Sequence, residues 1–277
     1  MASIALVVVF ATYVAGSPQP PFYPLGPYVF ENGTRNKWMW PFASDSIWNT
    51  PIGSDAVYVA SGFTRTAHVS PDPSWLIAAA PSDPKVSWHK IGSWRHRCND
   101  SSEYLGMIPF PQHVVIPDAT ATNTPNNQAA IVLPDGHTLI QTNPIARCSA
   151  GGTVYGYLTP GEQRWNGTSF GNLSSLYGAG LHGGCGATGL SSLGGALRLG
   201  ELDELGTSTG PINHTIRLEV FAHQWLDPEP CFRWPARSCD EYAHDPSSPH
   251  AYNGTNPHLV MGSLLAIPPS DLQTVMG

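Results

Sequence analysis

The chain has 277 residues, and its 20 acidic and 13 basic side chains give a formal net charge of −7. Charged residues make up only 12%, about half the usual share, while 28 Gly and 27 Pro argue against long regular helices. The acidic balance and the scarcity of lysine exclude a basic stripe for nucleic acid, and 41% hydrophobic residues suffice for a sizeable core.

The N-terminus reads as an export signal. Residues 1–17 are predicted to be a signal peptide, because an apolar run ends in the small residues Ala15, Gly16 and Ser17. The run is shorter than the ~20 residues that a membrane span needs, so no span is expected after cleavage. Residues 18–37 are predicted to form a Pro-rich extended leader, and residues 38–277 to form a single β-rich domain. The protein is expected to be secreted and extracellular.

Short apolar runs punctuated by Gly and Pro predict an all-β fold, a β-sandwich or jelly roll with long Gly/Pro-rich loops. Residues 128–133 and 137–142 flank Pro-Asp-Gly, which favours a tight hairpin. Residues 153–158 predict another strand. Residues 212–222 alternate, and this predicts a strand with His214 on the inward face and Arg217 on the outward face.

Glycines and cysteines indicate close packing and cross-links. The GxGxxG run at 178–183 lacks the strand and helix of a dinucleotide site, so we interpret it as glycines that let a loop cross closely over another backbone.

Five cysteines in an oxidising compartment predict two disulfides. Cys231 and Cys239 bracket a short loop, Cys98 with Cys148 is the simplest second bridge, and Cys185 is left over.

Glycosylation is expected at six Asn-x-Ser/Thr sequons, which lie at Asn32, Asn99, Asn166, Asn172, Asn213 and Asn253.

A polar cluster among apolar strand residues is the candidate catalytic site. It consists of His214, Arg198 and Glu201, with His182 nearby and Arg217 as a substrate-binding cation. A polysaccharide lyase would use an arginine to neutralise a uronate carboxylate and His214 as the base. A hydrolase would use Glu201 and a second carboxylate. The alternative is a structural ion pair between Arg198 and Glu201.

Tryptophans supply a second candidate surface. Trp88 and Trp94 lie in a locally basic stretch, where stacking faces and cations would suit an acidic sugar. The histidines lack compact zinc spacings, so no metal site is assigned, and the cofactor is unknown.

Four motifs carry a resemblance: GLxxLxGxLRxxEL at 189–202, IxHxIR at 212–217, WPAR at 234–237 and MG at 261–262. Together they resemble an uncharacterised family of secreted β-rich proteins from microbes and algae. The resemblance implies a shared fold and a shared site at Arg198, Glu201 and His214, without an assigned activity.

Two functions are therefore expected. One is an extracellular carbohydrate-active enzyme, a lyase or glycoside hydrolase acting on polysaccharide. The other is a non-catalytic matrix, cell-surface or lectin-like glycoprotein. The two are separated by whether His214, Arg198 and Glu201 meet at a solvent-reachable pocket or form a closed buried network.

Overall fold

The computed structural model describes residues 40–53, 55–63, 73–99, 101–157, 174–181, 183–184, 186–198, 201–202, 212 and 214–268, together with the backbone of three short strands before residue 36. The predicted signal peptide and leader otherwise lie outside these residues, as do His182, Cys185 and the sequons at Asn32, Asn166, Asn172 and Asn213.

The described residues are rich in strands and almost free of helix, which confirms the all-β class. The strands are β1 (Thr12–Val14), β2 (Phe30–Glu31), β3 (Thr34–Arg35), β4 (Ser74–Ala78), β5 (Lys85–Ile91), β6 (Ser101–Pro109), β7 (Gln128–Val132), β8 (Thr138–Thr142), β9 (Ile145–Ala146), β10 (Val154–Gly156) and β11 (Ser174–Ser175). The two described helices are a single 3₁₀ turn (Gly186–Thr188) and α1 (Ala222–Trp225). No described helix has the length and apolar character needed to cross a membrane.

The chain forms two compact units. The larger contains Phe10–Thr50 and Asp72–Arg217, and the smaller contains Met1–Val9, Pro51–Pro71 and Leu218–Gly277. Both units draw on residues 38–277, and the prediction of one domain over that range stays a prediction.

Two sheets build the larger unit. A five-stranded sheet has the order β1-β4-β7-β8-β11, and a four-stranded sheet has the order β6-β5-β10-β9. Three neighbouring pairs are parallel, namely β1 with β4, β4 with β7, and β5 with β10. β1 lies within the predicted signal peptide, and β2 pairs with β3 in a separate two-stranded sheet.

The main core lies between the two sheets, as in a sandwich. It includes Ile77, Ile131 and Ile140 from the five-stranded sheet and Val86, Trp88 and Ile108 from the four-stranded sheet. Apolar and outward residues alternate along β5, so Val86 and Trp88 pack inward while Ser87 and His89 face away from the core.

A second cluster covers the other face of the five-stranded sheet. Trp48 and Phe42 pack there with Val132 and Leu139, and all five residues of β7 are buried because both of its faces are covered. The indole N–H of Trp48 donates to the carbonyl oxygen of Gly180 at 2.9 Å.

Two local predictions are confirmed. β7 and β8 form the expected antiparallel hairpin, and Oδ1 of Asp135 accepts the N–H groups of His137 and Thr138 in its turn. β10 lies within the strand predicted at 153–158. In both places the turn chemistry and apolar alternation act over a few neighbouring residues.

The close approach expected of the glycine run at 178–183 occurs against a side chain at Gly183 and against backbone at the next residue, Gly184. A side chain at Gly183 would come within 2.6 Å of the Gln141 amide, and one at Gly184 within 2.6 Å of the Thr142 Cα atom. The glycines therefore let this loop cross directly over β8.

The strand predicted at 212–222 is wrong. Its described residues form extended chain and the start of α1, with no ladder partner assigned to them. Ile216 and Leu218 are exposed, whereas Arg217 turns inward and its backbone N–H donates to the carbonyl oxygen of Gly195 at 3.0 Å. Because the guanidinium finds buried carbonyl acceptors, the arginine takes the inner position that the alternation had assigned to apolar residues.

The smaller unit has its own core of Leu226, Cys231, Ala243, Tyr252 and Leu259. Its disulfide joins Cys231 to Cys239, and a second disulfide in the larger unit joins Cys98 to Cys148. Both predicted pairings are therefore present.

Candidate functional site

His214 and Glu201 form the closest contact within the predicted catalytic cluster. Nε2 of His214 lies 2.8 Å from Oε1 of Glu201, and Nδ1 lies 3.0 Å from the carbonyl oxygen of Thr215. The other carboxylate oxygen of Glu201 accepts the backbone N–H of Arg198 at 2.6 Å. The carboxylate thus holds two chain segments together, and we call His214 and Glu201 the closed pair.

The closed pair is withdrawn from solvent. The side chain of His214 is 1% exposed and that of Glu201 is 14% exposed. Nδ1 faces a carbonyl oxygen and Nε2 faces a carboxylate oxygen, each within hydrogen-bond distance. Both ring nitrogens are therefore engaged with protein acceptors, and neither is presented to a substrate proton.

The two arginines of the cluster serve other contacts. The guanidinium of Arg198 lies 6.0 Å from the ring centroid of Trp40. Arg217 donates through Nη1 to the carbonyl oxygen of Ser192 at 3.1 Å and through Nη2 to Oγ of Ser74 at 2.8 Å. Arg217 thereby fastens the loop after residue 190 to the start of β4, which is a structural use of its charge.

The two tryptophans of the predicted binding surface lie in different environments. Trp88 is only 2% exposed and belongs to the sandwich core, so it offers no face to a ligand. Trp94 is 40% exposed, and the guanidinium of Arg97 lies 5.2 Å from its ring centroid. Arg97 itself is fully buried, so the basic stretch does not form one exposed patch.

A row of aromatic rings lies instead on the outer face of the four-stranded sheet, with Tyr104 exposed and His89 and Tyr155 half-buried. His89 on β5 is paired in register with Tyr104 on β6 and with Tyr155 on β10. The His89 ring centroid lies 5.5 Å from that of Tyr104 and 6.3 Å from that of Tyr155. Tyr104 is 58% exposed. We call these three residues the aromatic row.

Polar groups border the aromatic row. Oγ of Ser87 lies 3.0 Å from Oγ1 of Thr153 on the neighbouring strand. Lys90 and Glu103 occupy the next positions along β5 and β6, which alternate in facing with the row, and their charged groups lie 4.0 Å apart. The face of the row therefore combines rings with hydroxyl groups that can hydrogen-bond a polar ligand.

Sequence reasoning missed Tyr104 because no strand was predicted at 101–109. The alternation of β5 contained the signal for His89, since an inward Trp88 requires its neighbour to face outward. The partners of His89 could not be read locally, because β10 joins β5 across a long stretch of intervening chain.

Two groups of potential metal ligands occur among the described residues. One contains Cys231, Cys239 and His244, and the other contains Cys98, Cys148 and Asp118. In both groups the cysteines form a disulfide, and a disulfide sulfur lacks the thiolate charge that metals require.

Two predicted glycosylation positions can be located. Asn99 and Asn253 are both exposed, as an attached glycan requires. Glycosylation itself stays a prediction at all six sequons.

The chain has no match among protein-family models, among curated proteins or among solved structures. The resemblance to secreted microbial and algal β-rich proteins therefore stays a prediction.

Proposed function

We propose that this protein is a secreted, non-catalytic glycan-binding protein that holds a polysaccharide on the aromatic row. The single observation that carries the proposal is the alignment of Tyr104, His89 and Tyr155 across three adjacent strands on the outer face of a sheet. Its disulfides suit an extracellular compartment.

The chemistry of the row favours a sugar over an apolar protein partner. Tyrosine and histidine rings offer an apolar surface for the C–H faces of a sugar, and their polar tips can bond its hydroxyl groups. Ser87 and Thr153 place further hydroxyls beside the rings. A purely apolar partner would cover the polar tips of the tyrosine and histidine rings without hydrogen-bonding them, which costs free energy.

The closed pair supports the non-catalytic part of the proposal. A general base has to reach the proton that it removes, and both nitrogens of the buried His214 ring already have protein acceptors. The lyase and hydrolase hypotheses need this histidine or Glu201 to meet substrate. The closed, buried arrangement therefore favours the lectin-like alternative.

The binding test uses protein secreted from Ser17 onward and a panel of neutral and acidic polysaccharides. We expect at least one polymer to bind, and Tyr104→Ala and Tyr155→Ala each to weaken that binding about fivefold, since sugar–ring stacking contributes on the order of 1 kcal/mol per ring.

Tyr177→Ala is the matched control. Tyr177 is 48% exposed, and its ring centroid lies 6.1 Å from that of His137. The substitution therefore removes an exposed tyrosine that lies near a histidine but outside the row. We expect binding to persist in this variant. Equal losses in all three variants, or no polymer bound at all, would overturn the proposal.

The same incubations test for catalysis through new reducing ends and through ultraviolet absorbance of new double bonds. We expect neither signal. Turnover by the wild-type protein that His214→Ala abolishes, while the variant stays folded, would establish the enzyme hypothesis instead.

A further inference from the structure

We infer that the Cys231–Cys239 disulfide is an exchange site for small thiols, at which His244 supplies the proton that the departing sulfur needs. The site is independent of the proposed glycan binding, because none of its residues belongs to the aromatic row. It is distinguished from the other described disulfide, Cys98–Cys148, by the side chain that stands beside the sulfurs.

His244 stands beside the disulfide of the smaller unit. A ring nitrogen of His244 and the Sγ atoms of Cys231 and Cys239 all lie within 4.8 Å of one another. His244 is exposed, so its ring can turn towards either sulfur. Imidazole is the side chain best suited to give or take a proton near neutral pH.

The two sulfurs of this disulfide differ in their access to solvent. Cys231 is 6% exposed and belongs to the core of the smaller unit, whereas Cys239 is half-buried. A small thiol therefore reaches Sγ of Cys239, and Cys231 becomes the departing sulfur. A thiolate left in an apolar core would be costly, and a proton from His244 removes that cost.

The exchange proceeds in two steps. First, the small thiol ionises, and its sulfur bonds to Sγ of Cys239 while the S–S bond breaks with its electron pair on Sγ of Cys231. His244 gives this sulfur a proton, and the proton that the small thiol lost replaces it on the imidazole. A second small thiol then attacks the mixed disulfide and leaves as the symmetrical disulfide. Two small thiols are thereby oxidised, and the protein disulfide is reduced to two thiols.

The disulfide of the larger unit has a carboxylate in the corresponding place. A carboxylate oxygen of Asp118 and the Sγ atoms of Cys98 and Cys148 lie within 4.8 Å of one another. Oδ2 of Asp118 accepts the backbone N–H of Cys98 at 3.2 Å, and Oδ1 accepts that of Arg97 at 3.0 Å. The negative charge is thus held beside the sulfurs, where it repels an incoming thiolate and disfavours a departing one.

Exposure and neighbouring charge predict opposite orders of reaction for the two disulfides. Cys148 is exposed, so access alone would make the larger-unit disulfide react first. The neighbouring side chains favour the smaller-unit disulfide, because His244 offers a proton and Asp118 offers a negative charge. The order of reduction therefore separates the two causes.

Exchange would open a loop of the smaller unit. The disulfide joins residues that are eight apart in the chain, and the loop between them carries Trp234, which is 71% exposed. Reduction removes the cross-link that closes this loop, so the tryptophan would be presented on a less constrained segment. The larger unit would keep its own disulfide.

The test follows the two disulfides of the folded, oxidised protein separately. Any free thiol is alkylated first, reduced glutathione is added at neutral pH, and samples are quenched with a second alkylating reagent for peptide mass spectrometry. We expect Cys231–Cys239 to be reduced before Cys98–Cys148, with the first glutathione adduct on Cys239. Earlier reduction of Cys98–Cys148, a first adduct on Cys231, or no reaction at either disulfide would overturn the proposal.

A histidine variant tests the proton donor. His244→Gln should slow reduction of the smaller-unit disulfide about tenfold, since the departing sulfur would leave as a poorer leaving group, and should not change the rate at the larger-unit disulfide. His258→Gln, which removes another exposed histidine of the smaller unit, is the matched control and should react like the wild type.

The sign of the effect distinguishes proton donation from a structural role. A variant that merely loosened the smaller unit would expose its sulfurs and be reduced faster than the wild type, not more slowly. Faster or unchanged reduction of His244→Gln, or equal slowing in His258→Gln, would therefore overturn the role of His244. Glycan binding is measured on the same proteins, and its presence or absence leaves the exchange result unaffected.

Discussion

Two histidines of the larger unit, His214 and His89, have opposite relations to solvent. His214 is enclosed, with both ring nitrogens bound to protein acceptors. His89 is half-buried on the outer face of a sheet, between two tyrosine rings. Both residues occur in stretches of alternating apolar and polar residues. Local sequence is similar at the two positions, and the surroundings differ. The packing around a segment therefore decides, more than its local sequence, whether a polar side chain can meet a ligand.

Removal of the carboxylate from the closed pair should give the largest effect. Glu201→Ala leaves His214 and the Arg198 N–H without their acceptor, so we expect the free energy of unfolding to fall by about 3 kcal/mol. Glycan binding by the folded fraction should not change. Chemical denaturation and polymer binding measure the two quantities.

Glu103→Ala is the counterpart at an exposed position. Its side chain is 33% exposed and its contact with Lys90 is long, so stability should change by less than about 0.5 kcal/mol. If the two alanine variants were equally stable, the description of His214 and Glu201 as a closed pair would be wrong.

Two tyrosines of the smaller unit, Tyr252 and Tyr242, extend the comparison of buried and exposed groups to high pH. Tyr252 is 3% exposed, and its hydroxyl donates to Asp240 at 2.7 Å. Burial, together with Asp240, raises the pKa of Tyr252, and the same two causes raise the pKa of Tyr242 to about 12. The folded state therefore favours the neutral phenols, and this stabilisation is present below about pH 10 and is lost as the pH rises through the folded-state values.

We accordingly expect the smaller unit to lose stability between about pH 10 and 12. Tyr252→Phe should cost about 1 kcal/mol at pH 8 through the lost hydrogen bond and should make the alkaline loss shallower. Denaturant midpoints at pH 8, 10 and 11 test this. A loss of the same steepness in the variant and the wild type would contradict it.

Trp94 should give the smallest effect. Its ring is 40% exposed and contacts the guanidinium of Arg97, so Trp94→Ala should cost about 0.5–1 kcal/mol of stability. Binding of the polymer should change less than about twofold, within the range of an exposed contact. A tenfold loss would show instead that the binding surface extends from the aromatic row to Trp94, as the sequence predicted.

The predictable parts of the fold were those decided by nearby residues. The hairpin of β7 and β8 follows from a Pro-Asp-Gly turn between apolar runs. The disulfide of Cys231 and Cys239 follows from the short loop that they bracket. The contact of His214 with Glu201 was expected only as part of a polar cluster, and its closure depends on packing that the sequence does not display.

The remaining features depend on distant acceptors and distant strands. Arg217 faces inward because the carbonyls of Ser191 and Ser192 accept its guanidinium, and alternation alone cannot report such acceptors. The aromatic row depends on strands that are far apart in the chain and meet only in the sheet. Composition predicted that aromatic residues would be important without showing which of them would share a face.

Trp48 has a consequence for how this protein can vary. A side chain at Gly180 would come within 2.6 Å of its indole, and one at Gly194 would overlap the same ring. The backbone carbonyl of Trp48 also accepts the N–H of Thr215, next to the closed pair. At Gly194 tolerance is thus set by the size of one distant side chain, whereas the φ of +70° at Gly180 favours glycine whatever the space. Gly194 and Trp48 should be replaceable together, by a larger and a smaller residue, where neither change is tolerated alone.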